Sequence, residues 1–233
     1  MPYKRVMLKL SGEALAGETK YGIDDSKVQI LAKMVAEIHK LGVELAVVIG
    51  GGNYWRGRTN PQMDRVTADQ IGMLATTMNA MTVADAVGKL NVDCRVLNAI
   101  SMPTISEPYI QKKAVRYLEN KTVLFFAGGT GSPFFSTDSG AALRAAEINA
   151  DVMLKATQVD GVYDKDPNQF SDAKRYSKIS LQDVMSNGLA VVDATAAALC
   201  NDNNIPLIVF SIKDPNNVIR IIQGEDLGTL VLP

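Results

Sequence analysis

Residues 43–57 indicate the fold class more directly than any other stretch and read VELAVVIGGGNYWRG. The mostly apolar run 43–49 has the length and the β-branched content of a strand buried on both faces of a parallel sheet. It leads directly into Gly50, Gly51 and Gly52, which predict a turn. A buried strand that ends in a Gly-rich turn is typical of α/β proteins, where ligands bind beyond the carboxyl ends of the strands.

Similar apolar runs along the chain predict further buried strands, at residues 6–10, 94–97, 123–127, 152–154 and 207–210. Apolar residues at helical spacing lie between them and predict helices at 24–41, 67–89, 107–119, 139–149, 181–187 and 194–203. The first helix has Asp24 or Asp25 as its expected N-cap, and Gly42 follows its end. This alternation predicts an α/β fold, a three-layer αβα sandwich with a central, mostly parallel sheet, as a single domain over residues 1–233.

The composition excludes several classes of protein. The chain has 24 Lys plus Arg against 25 Asp plus Glu, so it lacks the basic excess of a dedicated nucleic-acid binder. Charges at Lys4, Arg5 and Lys9 interrupt the first apolar run, so neither a signal peptide nor a membrane span is expected. The two cysteines lack metal-ligand spacing and fit free thiols in a reducing compartment, which predicts a cytoplasmic protein. The polar, turn-rich stretch 158–177 is interpreted as a mobile loop over a site.

Two of the predicted turns combine glycine with a cation. Lys9-Leu10-Ser11-Gly12 follows the first strand, so that an ammonium, a hydroxyl and a backbone amide can approach phosphate oxygens. A plain turn with a solvated Lys9 is the alternative, and so short a pattern by itself favours it. The triple-glycine turn adds Arg56, whose planar guanidinium can bind a phosphate through two parallel hydrogen bonds. Three consecutive glycines favour a group, such as a phosphate, very close to the backbone over a merely flexible turn.

A third Gly-rich turn occupies residues 128–138 and precedes a predicted helix. Its amides and hydroxyls therefore lie at the positive end of a helix dipole, which attracts anions. One of Ser136, Thr137 and Asp138 is expected to be the N-cap, but capping does not explain the preceding glycines. The chain has neither a Walker-type GxxxxGK[ST] motif nor a GxGxxG motif that opens a helix. The three turns together predict a phosphoryl-transfer site built from several strand ends.

Four blocks in this order closely resemble the bacterial UMP kinases, and the resemblance spans the whole chain. The blocks are KLSGEA at 9–14, GGGNYWRG at 50–57, GTGSPFFSTD at 129–138 and KATQVDGVY at 155–163. The resemblance implies an amino-acid-kinase fold and transfer of the γ-phosphoryl group of ATP to UMP, a step of pyrimidine nucleotide biosynthesis. Two positions depart from the usual pattern, since Ser132 stands where Asn is common and Gln158 where Lys is common. These departures concern nucleotide affinity and regulation rather than the class of reaction.

The resemblance also implies two nucleotide sites. The residues that it places around ATP are Lys9, Leu10, Ser11, Gly12, Gly52, Arg56, Thr157, Tyr163 and Asp166. Those that it places around UMP are Gly51, Asp69, Thr130, Gly131, Ser132, Pro133, Phe134, Phe135, Ser136 and Thr137. Asp69 is implied to accept hydrogen bonds from the ribose hydroxyls, because an ionised carboxylate is only an acceptor. Without the resemblance, a solvated charge at a helix start explains Asp69 equally well, and ordinary packing explains Tyr163 better than a contact with the base.

The expected chemistry needs no general base, because the acceptor is a phosphate oxygen that is already ionised near neutral pH. The single histidine, His39, lies near the end of the first predicted helix and is not assigned to catalysis. Lys9, Arg56 and Asp138 are the expected catalytic residues. The two cations neutralise the transferring group, and Asp138 orients Lys9 or the hydrated Mg²⁺ that travels with ATP. No metal site of the protein's own is expected.

Regulation and rival functions complete the expectations. The resemblance implies a homohexamer, with GTP as a candidate activator and UTP as a candidate inhibitor. One alternative is a carbamate or acylamino-acid kinase of the same fold, against which Asp69 and the Gly-Thr-Gly block argue. The other is a non-catalytic nucleotide-binding regulator, which has no need of Lys9, Arg56 and Asp138.

Overall fold

The computed structural model describes residues 1–55, 62–189 and 191–233. Its strands are β1 (Arg5–Leu10), β2 (Glu44–Ile49), β3 (Cys94–Asn98), β4 (Glu107–Pro108), β5 (Val123–Ala127), β6 (Val152–Thr157), β7 (Lys178–Ser180), β8 (Leu207–Ser211) and β9 (Thr229–Leu232). Its α-helices are α1 (Asp25–Lys40), α2 (Arg65–Gly88), α3 (Gln111–Glu119), α4 (Thr137–Glu147), α5 (Leu181–Ser186), α6 (Ala194–Asp202) and α7 (Asn216–Gln223). A short 3-10 helix, Gly12–Leu15, follows β1.

The strands form one sheet in the order β4-β3-β5-β2-β1-β6-β8-β9-β7. Every pair of neighbours is parallel except β8 and β9, which run antiparallel. The central strands are buried on both faces, because helices cover the sheet on either side. The fold is therefore the predicted α/β sandwich with a mostly parallel sheet.

Alternate residues of β1 belong to two separate hydrophobic cores. Val6 and Leu8 pack with apolar side chains from α1, α2 and α7 on one face of the sheet. Met7 packs with side chains from α3, α4, α5 and α6 on the other face. Successive side chains of a strand point to opposite faces, so one short apolar strand contributes to both layers. These two cores fix the three-layer arrangement.

Local signals explain where several helices begin. Asp24 is the N-cap of α1, and its carboxylate accepts hydrogen bonds from the backbone amides of Ser26 and Lys27. Ser136 is the N-cap of α4 and accepts a hydrogen bond from the backbone amide of Ser139 at 3.1 Å. Both results agree with the predicted caps, because a short side-chain oxygen satisfies amides that have no partner within the helix.

The prediction of a helix over 107–119 is wrong at its start. Glu107 and Pro108 form the short strand β4 beside β3, and α3 begins only at Gln111. The residue before a proline is biased to extended backbone, which explains why the helix cannot include Glu107. Strands β7 and β9, of three and four residues, were too short to be predicted, and helix α7 was also missed.

Two further expectations concern thiols and membranes. Cys94 and Cys200 are both free, which agrees with the expected thiols. Among the described helices, none combines the length and the apolar character that a membrane crossing requires.

Candidate active site

The sheet order brings the predicted Gly-rich turns to one edge. Strands β5, β2, β1 and β6 are consecutive neighbours, so their carboxyl ends lie side by side. The end of β1 pairs with the end of β2, with Leu10 opposite Ile49. The chain goes from β1 to β2 on one side, and β6 pairs with β1 on the other, which makes this edge a topological switch point. Ligands of open α/β sheets bind in the crevice at such a point.

Two glycines of this edge are required by contacts within the protein. A Cβ atom on Gly12 would lie 2.3 Å from the carbonyl oxygen of Gly50, and one on Gly51 would lie 2.8 Å from the Cβ of Ala75. Both distances are too short for real atoms. Close approach to the backbone was predicted for these turns, and here the approaching atoms belong to neighbouring turns and to α2.

Buried polar side chains of α2 hold two of the turns. The Asn79 amide donates to the carbonyl oxygen of Gly50 at 2.7 Å and to Oδ1 of Asn53 at 2.7 Å. The Thr76 hydroxyl accepts from the backbone amide of Gly128 at 3.0 Å. Asn79 is fully buried and Thr76 nearly so. Sequence analysis missed these residues, although polar side chains within an apolar helix were the available signal.

Lys9 and Lys155 converge on one carboxylate. The Nζ atom of Lys9 lies 2.7 Å from Oδ1 of Asp138, and the Lys155 ammonium donates to Oδ2 of Asp138 and to the carbonyl oxygen of Val191. All three ionised groups are largely buried. The expected pairing of Lys9 with Asp138 is thus present, whereas sequence analysis quoted Lys155 in a motif without giving it a role.

This cluster shifts two pKa values. Burial by itself raises the pKa of the Asp138 carboxyl, but the charges of Lys9 and Lys155 outweigh it and hold that pKa below its usual range. Burial lowers the pKa of the Lys155 ammonium, and although Asp138 opposes this, the nearby Lys9 charge adds to it. Asp138 therefore stays ionised, while Lys155 loses its proton more readily than an ordinary lysine.

Asp193 supports the same region from α6. It is the N-cap of α6, and its carboxylate also accepts from the Ser139 hydroxyl at 2.7 Å and from the Ser136 hydroxyl. Burial raises the pKa of the Asp193 carboxyl, but the hydrogen bonds that it accepts have a larger, opposite effect. The pKa of Asp193 is therefore below its usual value. Asp193 was also missed by sequence analysis. Its contacts join α6 to the first turn of α4, where Asp138 lies.

A cavity of about 540 Å³ opens at this edge of the sheet. Many predicted residues of both nucleotide sites line it, with Trp55, Arg65 and parts of α2 among their neighbours. The predicted residues in its lining are Lys9, Ser11, Gly12, Gly51, Gly52, Asp69, Thr130, Ser132, Phe135, Ser136 and Thr137. Gly131, Pro133 and Phe134 belong to the same turn but lie outside that lining.

Two further cavities continue from the first. One of about 200 Å³ shares Lys9 and Ser11 with it and reaches Leu10, Lys155 and Thr157. The other, of about 550 Å³, shares Lys155 and Thr157 with the second cavity. The three cavities therefore form a series, and the two lysines lie where they adjoin.

The third cavity contains the remaining predicted ATP residues. Tyr163 and Asp166 line it together with residues of the loop 158–177. Asp166 also accepts hydrogen bonds from the backbone amide of Asn168 at 2.9 Å and from the side chain of Gln169 at 2.9 Å. The Tyr163 hydroxyl donates to Asp160 at 2.7 Å. Asp166 thus shapes a turn of this loop.

Three further expectations concern Arg56, His39 and a metal site. Arg56 falls outside the described residues. His39 lies near the end of α1, where its ring contacts the carbonyl oxygen of Lys121 at 3.1 Å. In the described part of the chain, no group of three or more His, Cys, Asp or Glu side chains has an arrangement that could hold a metal ion.

Comparisons with known proteins agree with this architecture. A model of the amino acid kinase family matches residues 4–211, and the chain belongs to that family. Among solved structures, the UMP kinase from Bacillus anthracis is similar with 39% identity and a TM-score of 0.96, covering 100% of this chain and 97% of that one. The UMP kinase from Ureaplasma parvum has 37% identity and a TM-score of 0.93 with 100% coverage of both chains. The uridylate kinase from Archaeoglobus fulgidus has 28% identity and a TM-score of 0.74, covering 98% and 99%.

Proposed function

We propose that this chain is a UMP kinase that transfers the γ-phosphoryl group of ATP to UMP and produces UDP and ADP. The observation that carries the proposal is the likeness, over the full length of the chain, to two proteins described as UMP kinases, at 39% and 37% identity. The cavities that adjoin at Lys9 and Lys155 support it independently. We take residues 1–233 as one catalytic domain.

The cavities suggest how the two nucleotides are arranged. Asp69 and most of the turn at 130–137 line the 540 Å³ cavity, and we assign it to UMP. The 200 Å³ and 550 Å³ cavities contain Thr157, Tyr163 and Asp166, and we assign them to the phosphates and the adenosine of ATP. Lys9 lines both the UMP cavity and the ATP phosphate cavity. In this arrangement the reacting phosphates meet beside its ammonium.

The reaction then depends on alignment and on charge. An oxygen of the UMP phosphate bonds to the γ-phosphorus, and the bond from that phosphorus to the bridging oxygen breaks, with its electron pair leaving on ADP. Lys9 and Lys155 neutralise charge on the transferring group, together with Arg56. Asp138 holds both ammonium groups in place, and its two carboxylate oxygens are engaged with them. Donor ATP would enter with Mg²⁺, which would supply further positive charge to the phosphates.

The proposal extends to the location, assembly and regulation of the enzyme. We propose a cytoplasmic, homohexameric enzyme of pyrimidine nucleotide biosynthesis, with GTP as activator and UTP as inhibitor. An exposed apolar row on α2, formed by Leu74, Met78 and Met81, supports self-association. Light scattering measures the number of subunits, and initial rates with added GTP or UTP measure the regulation.

A substrate panel tests the proposed function. The protein is incubated with Mg²⁺ and ATP and with UMP, CMP, carbamate or N-acetylglutamate, and ADP formation is followed. UMP is expected to be the preferred acceptor. Preference for carbamate or N-acetylglutamate would assign the chain to another activity of the family, and ATP binding without any turnover would favour a regulator.

Asp69→Asn is the matched site variant for this panel, with Asp85→Asn on the exposed part of α2 as its control. Asp69→Asn is expected to raise the KM for UMP, because an amide accepts fewer hydrogen bonds from ribose hydroxyls than a carboxylate. The KM for ATP is expected to change little in both variants.

A further inference from the structure

Arg65 and Asp69, which line the 540 Å³ cavity, form a linked cluster with Phe134. The Nε atom of Arg65 donates to Oδ2 of Asp69 at 2.8 Å, one helical turn along α2. The backbone amide of Phe134 donates to the same oxygen at 2.8 Å. The Arg65 guanidinium carbon also lies 5.4 Å from the centre of the Phe134 ring, within the range of a cation–π contact. Each residue of the cluster thus contacts the other two.

The cluster uses only one of the two carboxylate oxygens. In the described part of the chain, Oδ1 of Asp69 has no hydrogen-bond partner, while Oδ2 accepts from both Arg65 and Phe134. Asp69 is only 15% exposed and lines the cavity together with Arg65. A carboxylate whose one oxygen is fixed from two sides presents its other oxygen in a defined direction.

The backbone at Phe134 shows that this contact also shapes the turn. Phe134 has a φ of 72°, in the left-handed region that bulky side chains rarely adopt. Its amide is held by Asp69, and its ring is 60% exposed and lies over the guanidinium. Arg65 and Asp69 therefore tie the turn at 130–137 to the first turns of α2.

Arginine suits this position for a specific reason. Its planar guanidinium can donate to a carboxylate through Nε while its face stacks on an aromatic ring. A lysine has a single ammonium and no such plane, so it can keep the charge but not the combined geometry.

We propose that Arg65 is a positioning residue for the acceptor nucleotide, which aligns Asp69 so that its Oδ1 accepts a hydrogen bond from a ribose hydroxyl. The inference rests on the proposed function and extends it from Asp69 to Arg65 and Phe134. Arg65 acts through Asp69 and governs the preference for a ribonucleotide over its deoxy analogue.

The test compares UMP with 2′-deoxyUMP as acceptors in steady-state kinetics. Arg65→Met is expected to raise the KM for UMP about tenfold, as loss of a hydrogen bond to a charged group does, with a change in kcat of less than about twofold. Its preference for UMP over 2′-deoxyUMP is expected to fall at least about threefold, because the ribose contact weakens only for the acceptor that has the hydroxyl. Arg65→Lys is expected to fall between wild type and Arg65→Met.

The control is Arg95→Met. Arg95 also pairs with an acid, Asp93, and its guanidinium carbon lies 6.0 Å from the centre of the Tyr117 ring. Unlike Arg65, it does not line the cavity. Its kinetics are expected to match wild type, and thermal unfolding is compared for all variants. An Arg65→Met enzyme with an unchanged ribose preference would overturn the inference, as would a KM for ATP that rises equally. An Arg65→Lys enzyme with the kinetics of the parent would overturn the geometric role of the guanidinium, because charge alone would then suffice.

The wild-type measurement separates the two proposals. Failure of the parent enzyme to phosphorylate UMP refutes the proposed function itself. If the parent phosphorylates UMP but Arg65→Met keeps the same preference for UMP over 2′-deoxyUMP, only the role of Arg65 is refuted.

Discussion

The Nζ atom of Lys9 lies 2.7 Å from Oδ1 of Asp138, although Lys9 is near the end of β1 and Asp138 is in the first turn of α4. The second oxygen of the same carboxylate pairs with Lys155 on β6. Three elements of the fold thus contribute one charged group each to the point where the cavities adjoin.

Lys9→Ala is expected to lower kcat by about 10²–10³-fold, the usual effect of removing one group that stabilises charge in the transition state. The KM for UMP is expected to change much less, since the lysine acts mainly on the transferring group. Steady-state kinetics measure both constants. Lys40→Ala, which removes an exposed lysine paired with Glu37, is the control and should leave kcat unchanged. Equal turnover in Lys9→Ala and the parent would exclude Lys9 from the mechanism.

Asp138 is expected to make stability depend on acid pH. Burial raises the pKa of Asp138, but the charges of Lys9 and Lys155 lower it more, so its pKa in the folded protein is below its usual value. The contribution of Asp138 to the free energy of unfolding is therefore complete above the unfolded pKa of about 3.9. That contribution is lost as the pH falls through the pKa of the folded protein. Urea unfolding between pH 6 and pH 3 measures this loss. Asp138→Asn is expected to be less stable at pH 6 by about 3 kcal/mol and to show a weaker acid dependence. The same slope in both proteins would contradict the prediction.

Lys155 is expected to limit activity at alkaline pH. Burial and the nearby Lys9 charge lower its pKa, so the ammonium loses its proton below the pH of about 10.4 that is usual for lysine. The kcat of the parent should therefore fall as the pH rises through that lowered value. In Lys155→Arg the guanidinium stays charged, and whatever activity remains should persist to higher pH. Profiles of kcat from pH 7 to pH 10.5 for the parent and for Lys155→Arg test this. Both enzymes receive the same substrates, so any effect of substrate titration is common to the two profiles.

Gly12 and Gly88 provide a matched pair of substitutions for stability. Gly12→Ala places a Cβ atom 2.3 Å from the Gly50 carbonyl oxygen, and we expect the free energy of unfolding to fall by about 1–3 kcal/mol, with loss of activity. Gly88→Ala adds a methyl group at the end of α2, where no atom beyond the adjacent residues and the helix's own backbone lies within 4 Å of the added carbon. It is expected to raise the same free energy by up to about 1 kcal/mol, because alanine favours helix. Urea unfolding of the two variants distinguishes crowding from a general effect of replacing glycine.

Much of the fold could be predicted from local patterns. Long apolar runs such as 43–49 and well-capped helices such as α1 carry their own signals, because both depend on residues close together in the chain. The short elements β7 and β9 carry weak signals, since a few residues fit several structures equally well. The start of α3 was missed because Pro108 outweighs the helical spacing that follows it.

The sequence by itself determined the strand and helix rhythm, the Gly-rich turns and the family resemblance, since these depend on residue types at short spacings. Only the tertiary structure decided that Lys155 shares Asp138 with Lys9, that Asn79 and Thr76 hold the turns, and that the Phe134 amide donates to Asp69. Most of these contacts join residues that are distant in the chain. Their partners are chosen by how strands and helices pack, and no local pattern encodes that choice.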